Sequence, residues 1–563
     1  MSIEPLPSVS TFEMPASPIV RSAVWAAWAD ALGFQTELAE DERALQRRLG
    51  AESVQTTFAW HRRIGGRFGV QVQLPAGAYS DDTQLRLAVC RCIRADGRFD
   101  IETFSKIELP LFPSYELGGG LGTKAAAHAL GRKATRWNSN FFASKRSRYV
   151  EGGGNGAAMR VQPHVWASKD LRPGGYLPGV LRDAVCTHGH PRAILGAVLH
   201  ALALASVLRE RMPPEPARWD GMAKYLAEIP ALMSDDEDLA ERWLPLWEQK
   251  AGQTFSSAAE EVVLELRAQL RLAAQLANKR SGQDLDLYGQ LAEGIGGLSR
   301  ATRGSGAVSA VLALWLAWRF PDRAAEGARV AANLIGSDTD TVATMAAALA
   351  GPMTSDRLPG PLLDAELHIA QAQRLEAIAA RRPVEDFPHP DPLRWRAPQA
   401  MGDFLGLLDS RPVVAGLGFV ELEGDLFSPG GRKEGGWQWA RTSFGQHLLV
   451  KRRETLPVLG SWAAPRQRAI AVRSAAPQPV PNGALLANGR LERLPGTVDD
   501  ALEQLAARGY EHLLFSRLFM NLARGEHGSA RAGVFATLVA ERIRAREGLS
   551  SELKPHPVER NRP

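Results

Sequence analysis

An all-α fold carrying a smaller C-terminal α+β module is what the sequence predicts, on three observations. From about Pro18 to about Arg382, apolar residues recur at helical spacing in one segment after another, separated by short Gly-rich breaks. Strand-like alternation is scarce in that stretch. Beyond a Pro-rich segment the pattern shifts to short apolar runs around a glycine cluster, which is hairpin chemistry.

The helices follow in order. Ser22–Leu32 sets Val24, Trp25, Trp28 and Leu32 near helical spacing. Thr83–Ala95 gathers Leu85, Ala88, Val89, Cys92 and Ile93 on one stripe, with arginines opposite. Pro191–Arg209 and Ala307–Arg319 are rich in Ala and Leu, and Glu260–Asn278 has a charged outer face. Ala324–Ile335, Thr341–Leu349 and Leu363–Arg381 complete a helical domain over 18–382. Pro383–Pro398 holds five prolines, cannot form a regular helix and reads as a linker, 383–398. In the remaining module, 399–563, Val413–Phe427 and Trp437–Val450 read as strands about SPGGRKEGG, and Ala475–Pro495 as loop. Val498–Arg508, Tyr510–Arg524 and Ala532–Arg546 read as helices.

Composition narrows the function. A chain of 563 residues exceeds one ordinary core, and 45% hydrophobic with 23% charged residues excludes a fibrous or disordered protein. The net charge of +5 does not by itself call for a nucleic-acid partner. From Arg381 onward 26 Lys+Arg stand against 20 Asp+Glu, so the positive excess lies in the C-terminal part. Lys451-Arg452-Arg453, with Trp437 and Trp439 nearby, would suit a nucleic acid or a partner protein there, a solvated basic surface being the simpler reading. Three cysteines, Cys90, Cys92 and Cys186, make no disulfide framework and suit a reducing compartment as buried small hydrophobes. No apolar run is expected to cross a bilayer, and the N-terminus lacks the basic and apolar regions of a secretory signal. A cytoplasmic protein with no membrane association is expected.

Two segments carry the chemistry. AYSDDTQL places Ser80, Asp81, Asp82 and Thr83 at one helix start, and LIGSDTDTVA places Asp338, Asp340 and Thr341 at another. Singly, each reads as a helix cap, where a carboxylate gains roughly 0.3–1 kcal/mol from the helix dipole. Together they set paired carboxylates beside a hydroxyl in apolar surroundings, and buried like charges stay ionised only with a compensating cation. Oxygen ligands without histidine or cysteine suit Mg²⁺ or Mn²⁺ over zinc. If the segments converge, a two-metal site follows.

With these and four further motifs, in order, the chain resembles the ADP-ribosylglycohydrolase family. Ala29–Glu37 (ADALGFQTE) resembles its opening helix, and Ser80–Thr83 its [ST]-D-D-T motif. Gly118–Leu130, with GLGTKAAAHAL, resembles its Gly-rich segment, and Gly152–Pro163 (GGGNGAAMRVQP) its ligand loop. His188–Pro191 (HGHP) resembles its H-x-x-P turn, and Gly336–Thr341 (GSDTDT) its G-G-D-T-D-T motif. The resemblance implies an orthogonal helical bundle with two divalent cations, Mg²⁺ or alternatively Mn²⁺. Ser80, Asp81, Asp82, Asp338, Asp340 and Thr341 match its metal ligands. Glu37 matches the acidic residue that gates or assists the chemistry, so Glu37, Asp81 and Asp338 form the implied catalytic set. Ser337 stands where the motif has its second glycine, a position that would strain serine if it required positive φ.

The remaining matches fall on substrate. Gly118, Gly120 and Gly122 would flank the ribose or diphosphate, or form a plain loop. Gly153, Gly154, Asn155 and Gly156 would bring backbone N–H groups to an anion, with Met159 as a core or pocket-wall residue. Arg160 would meet a phosphate or make a structural ion pair. His188 would hydrogen-bond the ligand, while His190 and His200 read as structural. Gly304-Ser305-Gly306 would be a substrate-facing loop. The implied reaction is hydrolysis of the C1″ glycosidic bond of ADP-ribose on a macromolecule, protein before nucleic acid, through an oxocarbenium-like transition state. The alternative is a non-catalytic ADP-ribose-binding or structural relative.

Overall fold

The computed structural model describes residues 14–66, 69–144, 147–279, 283–429, 435–463 and 497–507, with 515, 518–519, 522–523 and 528–546 beyond them. The chain divides into two compact units, Met1–Ala469 and Ile470–Pro563.

The first unit is built around the helix Pro18–Phe34. Ser17 caps it by accepting from Val20 N at 3.3 Å, Pro18 occupies the first turn, and almost every residue from Val20 to Phe34 is buried. A helix apolar on all sides must be surrounded. It lies along Thr339–Ala350 and also meets Ala324–Ala332 and Ala365–Ala379. Hydroxyls tie these buried helices together. Ser22 Oγ donates to Ala348 O and Thr344 Oγ1 to Ala26 O, both at 2.6 Å. Gly306–Arg319 fills the space between Thr339–Ala350 and Pro191–Glu210. Gly196 and Gly306 allow the last contact, since a Cβ on Gly196 would stand 2.2 Å from Gly306 C.

Pro191–Glu210 departs from expectation: with mean hydropathy 1.7 it is long and apolar enough to cross a membrane. Its apolarity has another cause here, because 83% of that window is buried inside the protein. The three cysteines are free and buried.

Two findings revise the expected architecture. Within the helical region, β1 (Trp60–Ile64) and β2 (Val70–Leu74) form an antiparallel hairpin, Trp60 opposite Leu74. VQVQL alternates with period two and turns Val72 and Leu74 inward. Second, the sheet expected to open a separate module lies in the same compact unit as the helices. Its strands are β3 (Leu405–Leu408), β4 (Arg411–Val414), β5 (Gly418–Phe427), β6 (Gly436–Thr442) and β7 (His447–Arg452), an antiparallel meander in chain order. Val413, Val414, Leu448 and Val450 join the same buried apolar cluster as the helices.

The Pro-rich segment is irregular, as five prolines require, but anchored. His389 Nε2 meets Glu108 Oε1 at 2.7 Å, and Trp395 Nε1 donates to Lys106 O at 2.6 Å. The sheet is tied by Arg91 Nη1 donating to Gln446 Oε1 at 2.9 Å and by His447 N donating to Asp364 Oδ2 at 3.0 Å. The basic run 451–453 has partners within the protein: Lys451 Nζ lies 5.7 Å from the Trp437 ring centroid, Arg452 donates to Gln438 Oε1, and Arg453 pairs with Asp403.

The second unit contains helices Val498–Ala507 and Gly528–Arg546, with Ala501, Leu502, Leu505, Leu518, Leu522, Phe535 and Val539 buried together. The loop expected over Ala475–Pro495 lies outside the described residues, as does most of the helix expected over Tyr510–Arg524.

Candidate metal centre

The two aspartate segments converge. Ser80 is the N-cap of helix Asp81–Cys92 and accepts from Asp82 N at 3.2 Å; Asp338 is the N-cap of Thr339–Ala350. Thr341 Oγ1 donates to Asp82 Oδ1 at 3.2 Å, a bond between residues 259 apart in sequence that joins the two helix starts.

The first helix is the hub of this arrangement, through a residue that sequence reasoning missed. Asp30 accepts from Ser80 N at 3.0 Å and Thr83 N at 2.9 Å, so it satisfies donors at the start of the Asp81–Cys92 helix. Three residues on, Gly33 admits the other segment. A Cβ there would stand 2.4 Å from Thr339 O and 2.5 Å from Asp340 Cα. Both residues belong to the ADALG stretch already matched, and the signal for Asp30 was a carboxylate within an otherwise apolar helix.

Carboxylate oxygens of Asp30, Asp82 and Asp340 lie within 4.8 Å of one another, and all three side chains are buried. Burial first, then the charges of Asp30, Asp81 and Asp338, pushes Asp82 well above the usual carboxylate range. Asp340 is raised likewise by burial and then by Glu37, Asp82 and Asp338. Asp81 is pushed up to about 8, by burial and then Glu37, partly offset by the Gly119 N–H. The one buried cation facing the group among the described residues is Arg86, which bonds Thr83 Oγ1 at 2.7 Å and Thr344 Oγ1 at 2.9 Å.

Asp82 Oδ2 is buried without a hydrogen-bond partner among the described residues. An orphaned, buried carboxylate oxygen inside an all-oxygen cluster of excess negative charge fits a hard divalent cation. Of the expected ligands, Asp82 and Asp340 form the compact group with Asp30, Thr341 bonds Asp82 and Ser80 caps the same helix, whereas Asp81 faces Gly118 and Asp338 accepts from Asn155 outside that group.

Glu37 lies at the edge of the cluster, half-buried, with Oε2 2.9 Å from Arg62 Nη2. Its charge reaches both Asp81 and Asp340. Glu116, also missed, accepts from Gly118 N at 3.2 Å and pairs with Lys124 at 3.2 Å.

The glycine segments meet beside the acids. Gly118, at φ +139°, backs onto Asp81, whose Oδ1 would be 2.2 Å from a Cβ there. Asn155 joins the ligand loop to the last aspartate segment: its Nδ2 donates to Asp338 Oδ2 and Ser309 Oγ, both at 3.0 Å. His188 stands at the meeting of two glycine segments, its Nε2 3.9 Å from a Cβ on Gly122 and 3.7 Å from one on Gly154. Thr187 Oγ1 lies 2.7 Å from His188 Nδ1, and burial then Arg160 push this imidazole down to about 3, so it is neutral.

Several expectations change in detail. Two loop N–H groups are already used, Gly153 N by Glu151 O and Asn155 N by Gly304 O at 2.8 Å, which narrows the backbone available to an anion. Arg160 takes the structural role: it is fully buried and paired with Asp183 at 2.9 Å. Met159 is buried in the core, one of the two places expected for it, while Gly120 is exposed and Gly304 abuts Asp338, with Oδ2 3.3 Å from a Cβ there. Ser337 is unstrained, because the positive φ of that turn falls on Gly336 at +95°; its Oγ donates to Leu334 O at 2.8 Å.

Fold and site define a helix-rich protein with a buried multi-carboxylate centre bordered by glycine segments. The ADP-ribosylglycohydrolase family model matches residues 20–390, and the chain belongs to that family. The ADP-ribosyl-(dinitrogen reductase) glycohydrolase of Rhodospirillum rubrum is 29% identical over 153 residues, 26% of this chain. The match spans 47% of that relative, about half its length. A solved structure described as an ADP-ribosylglycohydrolase-related protein complex aligns at TM-score 0.40 and 20% identity, over 65% of this chain and 98% of that one.

Proposed function

We propose that the protein hydrolyses the C1″ glycosidic bond of ADP-ribose attached to a macromolecule, a protein side chain before a nucleic acid. The observation that carries this reading is the convergence of two aspartate segments around a buried carboxylate oxygen without a partner. Family membership supports it. Asp81, Asp82, Asp338 and Asp340, with Ser80 and Thr341, would hold two divalent cations, Mg²⁺ or Mn²⁺, within an orthogonal helical bundle. When bound, such cations neutralise the carboxylates and supply Lewis acidity toward sugar hydroxyls and water.

The chain's own residues do the rest. Cleavage develops positive charge on the ribose ring. Asn155, bonded to Asp338, keeps the ligand loop in register with the acids. Neutral His188 serves as a hydrogen-bonding wall between the glycine segments, not as a cation for the diphosphate. Glu37, at the edge of the cluster, is the acidic residue that assists the chemistry or gates access to it.

The test is ADP-ribose release from ADP-ribosylated arginine, serine and DNA substrates with Mg²⁺ or Mn²⁺. Cation-dependent release that disappears in Asp338→Ala, with ADP-ribose binding retained, is expected. Binding without release from any substrate by the unaltered protein would replace this reading with that of an ADP-ribose-binding relative.

A further inference from the structure

The hairpin β1–β2 reaches Glu37 through Arg62 and is met by the sheet, which lies beyond the region matched by the family model, ending at residue 390. Arg62, on β1, is held on three sides. Its guanidinium pairs with Glu37, lies 4.2 Å above the Phe34 ring centroid, and is 5.9 Å from that of Trp60. Phe34 and Trp60 meet edge to face at 5.4 Å. A guanidinium stacked on an aromatic ring loses orientational freedom, so its ion pair is aimed.

The pairing is with the side chain of Glu37; a second arginine holds the main chain. Arg48 Nη1 donates to Glu37 O at 2.6 Å and to Gln35 O at 3.3 Å. The backbone after Glu37 turns through Leu38 at φ +59°, a conformation that side chains rarely adopt without outside support.

The sheet reaches the hairpin directly. Trp437 on β6 lies against Gly65 at the end of β1, where a Cβ would stand 2.4 Å from the Trp437 ring. Trp437, Trp439 and Phe427 pack against the same small apolar cluster as Phe34, Trp60, Val72 and Leu74. The path from sheet to acid is therefore continuous: Trp437 on Gly65, the hairpin, Arg62, Glu37.

We propose that Arg62 is a positioning residue that aims the Glu37 carboxylate at the acidic cluster, and that Trp437 holds the hairpin in the place from which it does so. The sheet is then a working part of the site. This rests on the proposed hydrolysis for its kinetic consequence, not for its structural one.

The experiment uses the full chain and compares Arg62→Ala, Arg62→Lys, Trp437→Ala and the milder Trp437→Phe, each alone and with Glu37→Gln. Two readouts are taken: steady-state ADP-ribose release, and amide hydrogen exchange over residues 35–41 and 60–64. The expected result is an approximately tenfold fall in kcat for Arg62→Ala with KM little changed, and partial recovery in Arg62→Lys. Neither Arg62→Ala nor Trp437→Ala should add a further loss once Glu37→Gln is present, because residues acting through one group are non-additive. Exchange over 35–41 should rise in Arg62→Ala and, to a smaller extent, in Trp437→Ala. Losses that multiply in the double variants, or exchange over 35–41 that stays at the unaltered level, would overturn the proposal. Absence of release by the unaltered protein would sink the hydrolase reading instead, and the exchange data alone would then decide the positioning role.

Discussion

Two buried charge clusters in this molecule have opposite characters. Around Glu108, Arg91 forms a paired contact at 2.7 and 2.8 Å and His389 a third at 2.7 Å, and Glu108 is held down to about 2 by Arg91 despite complete burial. Around Asp82, equally buried carboxylates face one another with Arg86 the one buried cation opposing them among the described residues, and Asp81 is pushed up to about 8. A buried charge that finds its counter-charge within the chain is architecture. One left in excess is waiting for a ligand, and the difference lies in the bookkeeping of charge rather than in burial itself.

The sharpest way to break this comparison is to neutralise one acid in each cluster. Asp82→Asn is expected to reduce cation-dependent ADP-ribose release by about a thousandfold or more, while the thermal midpoint of the metal-free protein holds or rises, since a repulsion is removed. Glu108→Gln is expected to do the reverse. It strands Arg91 and costs about 3–5 kcal/mol of stability, with calorimetric Mn²⁺ binding intact wherever the protein is still folded. Equal loss of stability in both variants would erase the distinction.

A smaller effect concerns pH. The Asp81 carboxyl, raised from 3.8 to about 8, contributes stability that is fully present below 3.8 and lost as pH rises through 8. Glu108, lowered from 4.5 to about 2, contributes stability present above 4.5 and lost only as pH falls through 2. The metal-free protein should therefore weaken from pH 6 to 8.5 because of the first cluster and not the second. Mn²⁺ should offset this, giving about 2.7 kcal/mol at a hundredfold excess over Kd, with a larger shift of the midpoint at pH 8.5 than at pH 6. Scanning calorimetry at both values, with and without the ion, checks the sign.

Next comes the contact between Gly156 and His188. Gly156→Ala would bring a methyl group to 2.9 Å from His188 Cε1 and Thr123 Oγ1, which costs about 1–3 kcal/mol where the neighbours resist. ADP-ribose affinity should fall by a corresponding factor in titration calorimetry, with Mn²⁺ binding unchanged. The smallest effect expected is at His188. Because burial keeps it neutral down to about 3, ADP-ribose affinity should show no His188 step between about pH 5 and pH 8, and a step there that vanishes in His188→Asn would refute the neutral wall.

Much of this was legible in the residues. Paired carboxylates at two helix starts, and glycine segments between them, are local patterns, and local patterns survive in sequence. Asp30 was not seen because its role is to accept from Ser80 N and Thr83 N, about fifty residues away, and nothing beside it in the chain announces that. The hairpin was missed because β1 (WHRRI) spends its outward face on charge and its alternation is weak, although VQVQL alternates cleanly. Joining of the sheet to the helices was equally hidden. Five prolines do forbid a helix, but they do not require a tether to swing free, and Glu108 with the Lys106 carbonyl pins this one. Pro191–Glu210 shows a related limit: composition alone does not distinguish a helix wrapped in protein from one wrapped in lipid.

Gly33 has a consequence that reaches past its own position. The first helix touches Thr339 and Asp340 through bare backbone, so the gap between the two acid-bearing helix starts is gauged by a hydrogen atom where other residues carry carbon. Even a single methyl added there would act as a wedge, prising Asp340 away from Asp30 and Asp82 and leaving oxygens too far apart to share one ion. The bore of the centre is thus set by the smallest side chain that borders it.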